Sequence, residues 1–181
     1  MNSENYYKPE FFKKCEEFHG HVCPGLSIGY RAALYAMDIL QISFSQDEEV
    51  VCVTENDACG VDAIQVILGT SVGKGNLLFH MTGKQAFSFF NRKTGKSVRL
   101  VLKSGILDGE DRDEKMSKLH TANADELFDV KEVKITLPEK AKIFKSYKCE
   151  KCGEMAAESY TRLEDGKYLC IDCFHPYSRF S

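Results

Sequence analysis

The stretch HGHVCPG, residues 19–25, places three metal-binding side chains at alternating positions. Imidazole and thiolate are ligands that zinc, iron and nickel accept. Pro24 disfavours helical backbone at the residue before it, so residues 19–23 should run extended or turned into a helix that begins near this proline. Because alternate side chains of an extended segment share one side, we expect His19, His21 and Cys23 to converge.

A purely structural role is the alternative for each of these three residues. One histidine could cap a helix or pack, and the cysteine could be buried, but a turn requires none of the three. A helix N-terminus also lowers the pKa of a thiol, which favours thiolate at Cys23. Together, the three residues favour a functional site.

A second stretch, NDACGVD at residues 56–62, has similar chemistry where a predicted strand gives way to a helix. The free N–H groups of a helix start favour anionic groups. Asp57 is interpreted as the N-cap, and Asp62 as a dipole partner or a group that moves protons. Cys59 has no such structural role. We predict Cys59 as a further metal ligand or as a nucleophile, with a histidine such as His21 as its base.

Two CxxC pairs near the C-terminus give the most specific chemical signal. Seventeen residues separate the pairs, a spacing typical of structural zinc sites. The alternatives are a redox-active dithiol and free cysteines. A segment this short buries too little apolar surface to fold alone, so zinc would supply much of its stability. The predicted zinc ligands are Cys149, Cys152, Cys170 and Cys173.

Two domains are predicted around these sites: a core over residues 1–146 and a zinc-binding domain over residues 147–181. Apolar periodicity predicts helices in the core after Pro9, from Pro24 to Leu40, and up to Gly69. Gly25, Gly29 and Ala33 form a row of small residues along the second helix, which would let another backbone approach closely. Strands are predicted at 50–54, 76–81, 84–92, 96–103 and 130–138. The order of elements predicts an α+β fold, with helices packed on a mostly antiparallel or mixed sheet.

Composition and charge exclude several classes of protein. The formal net charge of -3 does not support nucleic-acid binding as the main activity. No apolar run is long enough to span a membrane, and no signal peptide is recognisable. We therefore expect a cytoplasmic protein, in which the two CxxC pairs among the eight cysteines bind metal rather than form disulfides, and in which Cys15 and Cys52 are core residues.

The two motifs, in this order and followed by the CxxC pairs, resemble the FmdE family over essentially the whole chain. This family is named after a component of formylmethanofuran dehydrogenase, a molybdenum or tungsten enzyme that acts on a formyl group, and many members resemble stand-alone proteins of anaerobes. The resemblance implies an α+β core with a pocket lined by both motifs, a C-terminal treble-clef zinc finger and a homodimer. It implies His19, His21, Cys23 and Cys59 as the polar residues of the pocket.

Two hypotheses about function follow. The chain is a metal-dependent enzyme, or an accessory component of one, with a second zinc, iron or nickel ion in the core pocket and a small-molecule substrate. A molybdenum or tungsten enzyme would then be its partner protein. Alternatively, it is a metal carrier or sensor, or a module that contacts protein or nucleic acid without catalysis.

Overall fold

The computed structural model describes residues 7–179, which divide into two compact units between Ala141 and Lys142. In the first unit the helices are α1 (Pro9–His19), α2 (Pro24–Leu40), α3 (Gly60–Leu68), α4 (Arg112–Thr121) and α5 (Ala124–Leu127). The strands of this unit are β1 (Val50–Thr54), β2 (Leu77–Phe79), β3 (Ala86–Asn91), β4 (Ser97–Leu102) and β5 (Phe128–Lys131).

These five strands form one mixed sheet in the order β2-β1-β3-β4-β5. The β1–β2 pair is parallel and the other pairs are antiparallel. The predicted α+β class, with helices on a mostly antiparallel sheet, is confirmed.

Helix α2 is the centre of the core. It is apolar almost all round, which is typical of a buried helix, and most of its residues are inaccessible to solvent. It packs on α1, α3 and α4 and on strands β3 and β4. Alternate side chains of the strands point to the same apolar core. They include Cys52, Phe87, Phe89 and Leu100.

The opposite face of the sheet carries a smaller apolar cluster of Val51, Val53 and Phe90. Val133 and Ile135 pack against that cluster. The predicted strand at 130–138 is therefore wrong in its bounds, because the chain leaves the sheet edge after Lys131. Its apolar residues cover a sheet face instead of continuing the ladder.

The second unit consists mainly of two hairpins. Strands β6 (Ser146–Lys148) and β7 (Met155–Ala157) pair with each other, as do β8 (Thr161–Glu164) and β9 (Lys167–Cys170), and a 3₁₀ turn at Glu158–Tyr160 lies between the pairs. Within residues 142–179 only Cys149 and Leu169 are buried. An apolar core this small cannot hold the unit together by itself.

Among the helices of residues 7–179, none combines the length and apolar character needed to cross a membrane.

Candidate metal centres

The chain reverses direction where α1 ends at His19. Gly20 adopts left-handed backbone with φ 87°, which glycine tolerates at no steric cost. Residues 20 and 21 form a bend. Cys23, the N-cap of α2, is extended, with φ -151° and ψ 160°. Its sulfur accepts a hydrogen bond from the backbone N–H of Leu26 at 3.3 Å. The predicted helix start at Pro24 is what the structure shows, but the segment before it is mostly turned rather than extended, because His19 is still helical and residues 20 and 21 form a bend.

This local geometry brings three ligand atoms together. One atom each from His19, His21 and Cys23 lie within 4.8 Å of one another. The two imidazole rings have centroids 4.4 Å apart. His19 and Cys23 are half-buried, whereas His21 is exposed. The structure thus brings the three side chains together, as predicted, but through the turn at Gly20 rather than through the alternation of an extended segment.

His19 has the hydrogen-bond pattern of a metal-binding histidine. Its Nδ1 lies 2.7 Å from Oδ2 of Asp62 on α3, and because a carboxylate only accepts, Nδ1–H donates. The second ring nitrogen, Nε2, is buried and has no hydrogen-bond partner within residues 7–179. A buried polar atom without a partner is costly. A metal ion would accept this lone pair, and a carboxylate on the other nitrogen is the usual companion of a metal-bound histidine.

Cys59 reaches the same region through a close contact between α2 and α3. A Cβ added to Gly29 would lie 1.9 Å from the carbonyl oxygen of Gly60, so the two backbones touch. A Cβ added to Gly25 would lie 3.8 Å from the sulfurs of both Cys23 and Cys59. Gly25 and Gly29, two members of the predicted row of small residues, therefore allow the start of α2, with Cys23, to approach the start of α3, with Cys59.

Two features describe the Cys59 thiol. It lies outside the set of ligand atoms within 4.8 Å of one another. Its pKa is raised, first by burial and then by the hydrogen bond with Cys23. Although Cys59 is the N-cap of α3, its side chain accepts no capping hydrogen bond. The helix start alone therefore does not make this thiol a thiolate.

Other polar residues, among them the predicted N-cap Asp57, lie elsewhere or have structural contacts. Asp57, interpreted as the N-cap, is exposed, and the turn is instead held by Asn56, whose Oδ1 accepts from the N–H of Ala58. Lys74 donates to the carbonyl of Ser45 at 2.9 Å and so ties two loops together. His120 packs against Phe12, and burial is the main cause that lowers its pKa to about 4.

The C-terminal unit contains the second candidate centre. The sulfurs of Cys149, Cys152, Cys170 and Cys173 all lie within 4.8 Å of one another, and those of Cys152 and Cys170 are 3.9 Å apart. A tetrahedral ZnS₄ shell with bonds of about 2.3 Å requires sulfurs about 3.8 Å apart. Backbone hydrogen bonds involving Cys152 and Cys170 lower the pKa of the Cys149 thiol to about 6. The four thiols fit a structural zinc ion.

Comparisons with known proteins agree with both halves of this description. The family described as FmdE, Molybdenum formylmethanofuran dehydrogenase operon, matches residues 18–151. The prokaryotic dksA/traR C4-type zinc finger matches residues 142–179. A crystal structure of an FmdE-like protein of the tungsten formylmethanofuran dehydrogenase type, from Syntrophus aciditrophicus, has a TM-score of 0.61 at 23% identity, over 83% of this chain and 85% of that one. At that identity the likeness shows the fold alone.

A curated protein of Archaeoglobus fulgidus, named a probable S-adenosyl-L-methionine-binding protein, is 29% identical over 91% of this chain. The chain spans about half the length of that relative, 52%. The FmdE match covers well over half of the present chain and includes both motifs of the core site. The chain therefore belongs to the FmdE family and carries a C-terminal four-cysteine zinc finger.

Proposed function

We propose that the core cluster, which consists of His19, His21 and Cys23, holds a second metal ion: zinc, iron or nickel. The chain is then a metal-dependent enzyme or an accessory component of one. The observation that carries this proposal is the buried, unpartnered Nε2 of His19 beside the ligand atoms of His21 and Cys23, all within the described residues 7–179. Three protein ligands leave a coordination position open, which is typical of catalytic rather than structural sites.

The chain's own residues suggest how such a site would work. Asp62 holds the His19 ring in one orientation, which supports a positioning role more directly than the predicted transfer of protons. Cys59, beside Cys23, is available as a fourth ligand or as a nucleophile. His21 is exposed and can bind metal or accept a proton from substrate. A bound metal would supply Lewis acidity to a water or to an acyl or formyl oxygen.

The exposure of His21 also favours the second candidate, a metal carrier or sensor, since an ion with an accessible ligand exchanges readily. Family membership supports, but does not fix, a partnership with a molybdenum or tungsten enzyme. A homodimer in the cytoplasm and a small-molecule substrate are also part of the proposal.

The test is elemental analysis of the full chain purified without oxygen or chelator. We expect about two metal ions per chain, and about one in His19→Ala and in Cys23→Ala. His80→Ala removes an exposed histidine away from the cluster and should keep both ions. A wild-type chain with a single ion, lost only on mutation of Cys149, would contradict the proposal. Rapid release of the core ion to a mild chelator would favour the carrier.

A further inference from the structure

A second polar site lies on the sheet face opposite the main core. A pocket of about 220 Å³ opens there above a row of residues paired across three strands: Val53 on β1, Ser88 on β3 and Arg99 on β4. Ile135 forms part of its wall. None of the candidate metal ligands lines this pocket. Its volume is below the ~300–1,000 Å³ of drug-sized sites, so a ligand would be small.

The floor of the pocket is an ion pair between Glu55, which is buried, and Arg99, which is half-buried. Arg99 donates from Nε to Oε1 of Glu55 at 2.5 Å and from Nη2 to Oε2 at 2.9 Å. The hydroxyl of Thr82 donates to Oε2 at 2.8 Å. The Arg99 hydrogen bonds are the main cause that lowers the pKa of Glu55, so the carboxylate is charged at neutral pH. Its oxygens are already engaged with three donors.

Two donors on the floor have no hydrogen-bond partner in the described part of the chain. No hydrogen bond joins Nη1 of Arg99, or the hydroxyl of Ser88, to another residue of the described range 7–179. Ser88 itself is almost fully buried, at 3% exposure. Arginine binds oxyanions through paired N–H groups, so the free edge of Arg99 is suited to an acceptor that enters the pocket.

The rim adds further positive charge. Lys84 and Lys134 line the pocket and are exposed, as is His80. The lining has three cationic side chains, Arg99 and the two lysines, and one anionic side chain, Glu55. Its formal charge is therefore about +2 when histidine is counted as neutral. The whole chain has a formal charge of -3. Positive charge concentrated in a concave site on an acidic protein attracts anions locally.

We propose that this pocket binds the phosphate group of a small phosphorylated metabolite. A phosphomonoester carries a charge of about -1.5 to -2 at pH 7 and three acceptor oxygens, which match the lining charge and the free donors. A carboxylate would offer about half that charge. Val53 and Ile135 would contact the organic part of the ligand, which distinguishes the site from a purely ionic patch.

The test is calorimetric titration of the full chain, at low ionic strength, with inorganic phosphate, glycerol 3-phosphate and ribose 5-phosphate. Ribose and succinate serve as comparators without phosphate. We expect all three phosphate compounds to bind at millimolar concentration or below, the organic ones more tightly than inorganic phosphate, and the comparators to bind at least tenfold more weakly. Added salt should weaken binding, because part of the attraction is between exposed charges.

Variants locate the site. The double substitution Lys84→Gln with Lys134→Gln should weaken phosphate binding at least tenfold, and Ser88→Ala several-fold. Lys13→Gln with Lys96→Gln removes the same charge from exposed positions outside the pocket and should leave the affinity unchanged. Cys23→Ala should also leave it unchanged, so failure of the metal proposal does not affect this test. No phosphate binding by the wild-type chain, equal binding of succinate, or equal losses in both double variants would overturn the inference.

Discussion

At the scale of single residues, the strongest sign of a metal site is the environment of the two ring nitrogens of His19. His19 presents Nδ1 to a carboxylate, while its buried Nε2 has no partner in residues 7–179. The sequence predicts the cluster itself, because His19, His21 and Cys23 lie within five residues, but not the turn at Gly20 that brings them together. It does not predict that Asp62 contacts His19, since the two lie 43 residues apart and no periodicity links them.

The contact with Asp62 leads to a prediction about metal affinity. Asp62→Ala should weaken core metal binding about 10- to 100-fold, because the carboxylate holds the ring in the orientation that metal binding needs. The fold should be unaffected, since the Asp62 side chain is 38% exposed. Competition with a chelator of known affinity measures the change. Asp57→Ala removes an exposed carboxylate from the segment that precedes α3 and should change nothing. Equal affinities for all three proteins would exclude this role for Asp62.

At the scale of elements, two helix starts are held together by glycines. The row of small residues on α2 is visible in the sequence, and the structure shows that its partner is Gly60 at the start of α3. Which helix would approach could not be predicted, because a small-residue row indicates a close contact but not its partner. The predicted strand at 130–138 is misplaced for a related reason: apolar alternation indicates a buried face, and Val133 and Ile135 supply one without pairing.

Gly29→Ala should separate these two helices. A Cβ there would lie 1.9 Å from the carbonyl oxygen of Gly60, and backbone cannot yield as a flexible side chain does. Overpacking of this kind costs up to about 3 kcal/mol. The gain in helix propensity offsets only about 1 kcal/mol. We expect a net loss of roughly 2 kcal/mol in the free energy of unfolding, measured by denaturant titration, together with weaker core metal binding.

Gly73→Ala is the matched control for this substitution, because a Cβ at Gly73 would meet no heavy atom within 4 Å. Its stability should stay within about 0.5 kcal/mol of the wild type. If Gly29→Ala were as stable as Gly73→Ala, the close contact between α2 and α3 would not be needed to position the cysteines.

At the scale of the whole molecule, the two units are stabilised by different means. The first unit has an extensive apolar core around α2, whereas residues 142–179 bury only Cys149 and Leu169. The α+β class, the mixed sheet and the four-cysteine module could all be predicted, because apolar periodicity and cysteine spacing are properties of the sequence itself. The pocket on the far sheet face could not, since Glu55, Ser88 and Arg99 converge only through strand pairing.

This difference predicts that loss of zinc affects the two units unequally. Cys149→Ala should unfold the C-terminal unit, because three remaining thiolates do not close a tetrahedral shell and the unit has almost no core to replace the metal. Limited proteolysis followed by mass spectrometry should show rapid cleavage beyond residue 141, with the first unit protected and its circular dichroism retained. Lys151→Ala, an exposed change between the same ligands, should be cleaved no faster than the wild type. A protected C-terminal unit in Cys149→Ala, or after removal of the metal by a strong chelator, would mean that zinc does not hold this unit together.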